Sequence, residues 1–241
     1  MTDRAQSTTV GYVVIFGTVL VMVGLVSVTG FAALEDVRDE ERVTNGVRSF
    51  EVLATNVDDV ATEGVPSRTT TVKLDDVSLS VGPSVTFEVH VPADGFRKTV
   101  DTRPLVLDAK SGTRVVYSNG AVLREDRAGQ VMAKPPRPLV TADYARLHVV
   151  RTRPVAATSV GGQTTASVRT TANGTSVAST GTAGETVYLN VTSPRHEAWG
   201  RSLDSHPQMS CAPVGGETVS CVLTTDETTV SVTDVDVRLG D

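Results

Sequence analysis

Two cysteines, four histidines and two Asn-X-Thr triplets are the residues of this chain whose types and spacing bear on chemistry. Cys211 and Cys221 lie ten apart in CAPVGGETVSC, whose centre is rich in turn formers, so the pair is placed to staple a hairpin in an oxidising compartment. Together with His196 and His206 they would make four zinc donors. No C-x-x-C or H-x-x-x-H pair is present, however, and a disulfide consumes both thiols, so neither a metal nor a cofactor is expected. Asp204, Ser205 and His206 are the one cluster of nucleophile-triad residue types. Neighbours in sequence do not converge as a triad must, and no nucleophile elbow, phosphate-binding glycine loop or paired-carboxylate pattern accompanies them. The sequence points away from an enzyme. Asn173-Gly174-Thr175 and Asn190-Val191-Thr192 are acceptors for N-glycosylation. Asn173 sits in a Thr, Ser and Gly-rich stretch from Thr158 to Thr182 that should be exposed; Asn190 alternates with Val187, Leu189 and Val191 and is expected to face solvent.

The segment that must carry all of these is set by the other end of the chain. From Gln6 to Leu34 there is no charged residue, and Val10 to Leu34 alone is 25 residues. As a helix that run reaches about 37 Å, enough to cross a hydrocarbon core of about 30 Å with some tilt. In lipid every backbone N–H and C=O must be bonded within the segment, which a helix of Val, Leu, Ile and Phe achieves. A cleavable secretory signal is the competing reading, with Gly30-Phe31-Ala32 before Ala33 as its small-residue site. Its apolar region runs about 7 to 15 residues, much shorter than this one, which favours a retained membrane helix. Arg4 precedes the span while an acidic cluster from Glu35 to Glu41 follows it, and the cysteine pair suits an oxidising space. Both observations place the C-terminal part outside the cell. Gly17 and Gly24 are seven apart and share one helix face, where small residues permit close approach of a second helix, although glycine is common in membrane helices in any case.

Beyond Glu35 the polarity changes while the helical period continues. Val43, Val47, Phe50, Ala54, Val57 and Ala61 form a heptad-like stripe with Leu53 and Val60 beside it, and Gly64 and Pro66 stop the helix near Thr62. The stripe can pack on the chain's own sheet or on neighbouring subunits. After Pro66 the period becomes two. Val77, Leu79 and Val81, then Gly82-Pro83-Ser84, then Val85, Phe87, Val89 and Val91 read as a hairpin with one buried face. Further strands are expected at 105–109, 113–118, 121–125, 147–153, 164–171, 186–192, 217–223 and 228–239, with Ser118-Asn119-Gly120 as one of the turns. Lys134-Pro135-Pro136-Arg137-Pro138 cannot donate ladder hydrogen bonds at its prolines and should be an extended edge or crossover, a candidate seam between two sheets. Ser193-Pro194 should open a short helix to Leu203 with Trp199 and Leu203 inward.

These elements make an α+β chain: a long N-terminal transmembrane and amphipathic helix, then a mainly antiparallel β-sandwich-like head with one short helix. Net charge is −6, which argues against nucleic acid, and aromatic residues are only 4%, so Val, Leu and Ala must build the core. Only four of 22 basic residues are lysine, a habit of salt-adapted proteins from GC-rich archaea.

The N-terminal wording Arg4-Ala5-Gln6, then Ser7-Thr8-Thr9 and the apolar run opened by Gly11 and Tyr12, resembles the class III signal of archaeal type IV pilins and archaellins, in the form seen in haloarchaeal pilin-like membrane proteins. VTSPRHEAWGRSL and GAVLREDRAGQVMAKPP are similar to head segments of the same family. The resemblance implies that a prepilin peptidase cuts between Ala5 and Gln6 on the cytoplasmic side, leaving the helix on the mature protein. It divides the chain into a leader (1–5), a transmembrane helix (6–34), an amphipathic continuation (35–64) and an extracellular head (67–241). Val10 stands where bacterial pilins carry a glutamate, which weakens any expectation of bacterial-style assembly. The implied function is a pilin-like or pseudopilin surface subunit, with the bilayer, the peptidase and related subunits as partners. The alternative is a non-polymerising single-pass surface protein whose head binds a ligand or partner.

Overall fold

The computed structural model describes residues 3–181 and 184–240; side chains at 3–10, 29, 30, 32, 33 and 36 lie outside this description. Helix α1 (Asp3–Thr62) is followed by fourteen strands, and a second helix, α2 (His196–Asp204), interrupts them. The chain falls into two units, 1–42 and 43–241. The first is helical. The second starts at Val43, so the last five turns or so of α1 belong to the head's own fold. Gly64, at φ +74°, ends the helix in the left-handed conformation that glycine adopts without penalty, and Val65 N–H reaches back to Asp59 O.

The head is layered. The larger sheet holds β1 (Ser67–Val81), β4 (Leu105–Ala109), β5 (Arg114–Ser118), β6 (Ala121–Asp126), β7 (Gly129–Lys134), β8 (Leu139–Val140), β9 (Tyr144–Pro154), β10 (Ser159–Gly181) and β14 (Glu227–Gly240), in the order β7-β6-β5-β4-β1-β10-β14-β9-β8. The smaller holds β2 (Val85–Val91), β3 (Phe96–Thr102), β11 (Thr186–Thr192), β12 (Ser210–Gly215) and β13 (Thr218–Thr224), in the order β12-β13-β11-β2-β3. Pairing is antiparallel except between β14 and β9, which run parallel. One face of the large sheet offers Leu74, Leu79, Leu107, Tyr117 and Val237 to Phe50, Leu53 and Val57 of α1. The other offers Val106, Val116, Leu123, Leu147 and Val230 to Phe87, Val89, Leu189 and Val219 of the small sheet, with Trp199 of α2 among them. Alternation along each strand is what lets one sheet serve two cores.

The strands expected at 77–81 and 85–91 both form, but they are not a hairpin with each other. Val77–Val81 pairs with Leu105–Ala109 in the large sheet, and Val85–Val91 pairs with Phe96–Thr102 in the small one. Residues 77–91 and 96–109 are therefore one antiparallel ribbon that folds from sheet to sheet, with Gly82-Pro83-Ser84 and Arg103-Pro104 as its corners. The true turn lies at Pro92 to Gly95, where Gly95 has φ +72°. Corner geometry explains Gly82: a Cβ there would stand 3.0 Å from Val106 Cγ2 and 3.2 Å from Pro104 Cγ. Strands β3, β7, β8 and β12 are additions to the expected set; β3 is mostly polar, β7 lacks an alternating apolar and polar sequence, β8 has only two residues and β12 contains Pro213.

The large sheet also curls. Its first and last strands, β7 and β8, are joined by Pro135 to Pro138, so the proline run bridges the two edges of one sheet. The β5–β6 turn reaches across towards β9: Asn119, at φ +45°, accepts the Val150 N–H on Oδ1 at 2.7 Å. Asn119→Ala is expected to cost about 1–3 kcal/mol, because it strains a left-handed turn position and orphans a buried N–H. Urea unfolding of Asn119→Gly, which keeps the turn and loses only the acceptor, separates the two contributions.

Candidate functional site

The feature that a water-soluble fold does not account for is the first half of α1. Gly11–Val28 is an 18-residue window with mean hydropathy 2.3, none of it buried, long and apolar enough to cross a membrane. Tyr12 is 74% exposed, Phe16 65%, Leu25 68% and Val28 71%. An apolar surface of this extent marks contact with lipid or with other chains. Its polar interruptions are absorbed internally: Thr18 Oγ1 donates to Val14 O at 2.8 Å. A Cβ added at Gly17 or Gly24 would meet nothing within 4 Å. Arg4, Ala5 and Gln6 lie in the first turns of the helix, and their side chains are outside the described residues.

The second half of the helix differs in kind. Of the stripe, Val43, Phe50, Ala54 and Val57 are fully buried and Val47 packs beside them. The partner is the chain's own large sheet, approached so closely that a Cβ on Gly46 would overlap Leu107 Cδ2 at 2.5 Å. Of the two destinations open to the stripe, its own sheet takes it.

The other sequence-marked residues lie on the head. Cys211 and Cys221 are directly opposed on β12 and β13 and are joined as a disulfide. Both thiols are thereby used, and among the described residues no group of His, Cys, Asp and Glu is placed to hold a metal. Asp204, Ser205 and His206 do not bond to one another: Asp204 Oδ1 accepts Cys211 N–H, Ser205 Oγ donates to Ser202 O, and His206 Nδ1 accepts Gln208 N–H. Asn173 is exposed at a bulge in β10, its amide donating to Asp236 Oδ2 at 2.7 Å. Asn190 is half-buried on the outer face of β11 and donates to Glu88 Oε1 at 3.2 Å. Helix α2 begins at His196, two residues later than expected; Ser193 Oγ accepts Arg195 N–H in the turn before it, and Trp199 and Leu203 point into the core.

One site was not anticipated. Where the large sheet's edges approach, the head contains a cavity of about 410 Å³. Ala54, Asp58 and Thr62 of α1 form one side, Lys134 to Pro138 the strap, and Phe87, Leu147, Leu189, Trp199 and Leu203 the apolar wall. Trp199 is 1% exposed, packs edge-to-face on Phe87 at 5.2 Å, and its Nε1–H has no hydrogen-bond partner. His148 also lines the cavity; Nδ1 is 2.8 Å from Ser231 Oγ, and Nε2 is buried without a partner. The proline run was the one trace of this site in the sequence.

Burial pushes the His148 imidazole below its ordinary pKa of 6.5, with Asp58 opposing. The unfolded chain then binds a proton that the folded head refuses, so stability falls as pH drops below about 6.5 and levels off once the folded histidine protonates. Urea midpoints taken between pH 8 and pH 5 should show this slope reduced in His148→Gln.

The model of a family of unknown function, DUF7289, matches residues 4–239. The chain belongs to this family. No curated protein and no solved structure matches the chain. The DUF7289 match runs from Arg4 through the apolar helix and the whole head, so helix and head are matched as one piece.

Proposed function

We propose that this protein is a pilin-like cell-surface subunit, held in the membrane by its N-terminal helix after removal of residues 1–5, with its β-rich head outside. The observation that carries the reading is the division of labour along α1. Its second half is consumed by the head, while its first half carries an exposed apolar surface that only lipid or other helices can cover. Assembly would exchange lipid contacts of that first half for packing against its copies, with Gly17 and Gly24 at the closest approach. Because the stripe is already buried, subunits would meet through the span and the head surface, not through Val43 to Val57. The DUF7289 match, which runs through the apolar helix into the head, supports treating the two as parts of one protein.

Mass spectrometry of the mature N-terminus is the test. A chain starting at Gln6 is expected, and Arg4→Ala with Ala5→Leu should leave it unprocessed. A mature chain starting near Ala33 would overturn the proposal, and an intact Met1 or Thr2 would favour a non-polymerising single-pass surface protein. The same spectra read glycosylation: a tryptic peptide from Thr170 to Arg195 spans both sequons, and cleavage after Glu185 separates them. A mass excess on the Asn173 half, lost in Asn173→Gln, is the expected pattern, since the Asn190 amide is half-buried against Glu88.

A further inference from the structure

We infer that the cavity beneath the proline strap is a binding site for a small amphipathic carboxylate, a compact aliphatic or aromatic acid. The inference is independent of whether the chain assembles into filaments. Its volume, about 410 Å³, falls in the range of sites for small organic ligands. Protein interiors of this size normally fill such space with side chains, and buried donors normally find acceptors. Here both rules fail at one place.

The wall sorts its polar groups into those already engaged and those left over. Lys134 Nζ donates to Thr55 Oγ1 at 2.9 Å and to Glu51 O at 3.4 Å, which pins its charge beside the helix. Thr62 Oγ1 donates to Asp58 O, and Asn119 Oδ1 accepts from Val150. What remains unpartnered among the lining residues is Trp199 Nε1–H, which can only donate, and His148 Nε2, which donates when Ser231 O–H bonds to Nδ1. A buried indole N–H and a buried imidazole nitrogen, both unpartnered and both on residues that line one cavity, call for a polar ligand atom, and an oxygen serves the N–H. The surrounding Phe87, Leu147, Leu189 and Leu203 call for an apolar body. The charges point to the class: of the charged residues that line the cavity, Lys134 and Arg137 on the strap outnumber Asp58 opposite them, so a monoanion is matched where a cation is not. A sugar is poorly served, because most of the wall's other polar atoms are already committed to the protein.

Trp199 is the chain's only tryptophan, so the site carries its own reporter. Full-length protein in lipid nanodiscs, labelled with 5-fluorotryptophan, should give one protein ¹⁹F resonance. Titration with hexanoate is expected to shift it saturably. Hexan-1-ol, with the same chain and no carboxylate, should bind at least about tenfold more weakly. Lys134→Gln with Arg137→Gln should weaken hexanoate to the level of the alcohol while leaving the unliganded resonance in place. Absence of a saturable shift with either compound overturns the site; equal binding of both, unchanged in the double variant, overturns the carboxylate.

Discussion

Phe50→Ala is expected to destabilise the head by about 3–5 kcal/mol, the cost of removing a fully buried aromatic side chain and leaving a cavity behind. Phe50 is 0% exposed and sits with Leu53 and Val57 against the large sheet. Val52, two residues on and turned away from the sheet, is 55% exposed, and Val52→Ala should change stability by less than about 0.5 kcal/mol. Urea unfolding of the two variants side by side decides what the stripe is for. If it were an inter-subunit surface, Phe50→Ala would leave the isolated chain's stability nearly unchanged and damage only assembly. A large loss in the dispersed protein places the stripe's energy within one chain.

Arg195→Met should rank second, at about 2–4 kcal/mol. Arg195 precedes α2, its side chain is 7% exposed, and Nη2 stands 2.7 Å from Glu125 Oε2 of β6. Removing the guanidinium leaves a carboxylate that is only partly solvated and has lost its close ionic partner, with Arg114 across the β5–β6 ladder as the charge that remains. The figure is set below that for a fully buried pair because Glu125 keeps 22% of its side-chain surface. Arg195→Met combined with Glu125→Leu should recover most of the loss, since two apolar groups need no partner. A double variant as unstable as the single would show that the aliphatic packing of Arg195, and not its charge, matters. The pair is one of several ties between α2 and the β6–β7 region: Arg201 Nη2 donates to Gln130 O at 2.6 Å and Gln130 Nε2 donates to Pro194 O at 3.0 Å. Loosening them would also expose Trp199, so the cavity's reporter should broaden in the single variant.

What was legible in the sequence was whatever a short window encodes. Charge-free length marks the apolar first half of α1, and a 3.6-residue period carries the helix on to Thr62, where Gly64 stops it. Period-two alternation located most of the strands, 105–109 and 186–192 to the residue. Cys211 and Cys221 are ten apart around turn formers, so their pairing was also a local matter.

Partner choice was not local. Gly82-Pro83-Ser84 looks the same whether a chain reverses into a hairpin or bends from one sheet to another. The difference lies in Leu105–Ala109 and Phe96–Thr102, which supply the ladders that Val77–Val81 and Val85–Val91 need. The stripe on α1 likewise names an apolar face without naming what covers it; the large sheet does so only because β1, β4 and β10 assemble beneath it. The cavity is further still from sequence. Ala54, Phe87, His148 and Trp199 carry no shared pattern, and they meet because a nine-stranded sheet curls until a run of prolines can bridge its edges. The sequence by itself determined the elements and the apolar helix, since backbone bonding and side-chain periodicity act over a few residues. Only the tertiary structure decided which faces are spent within the chain and which are left for something else, because burial is a property of the whole packing.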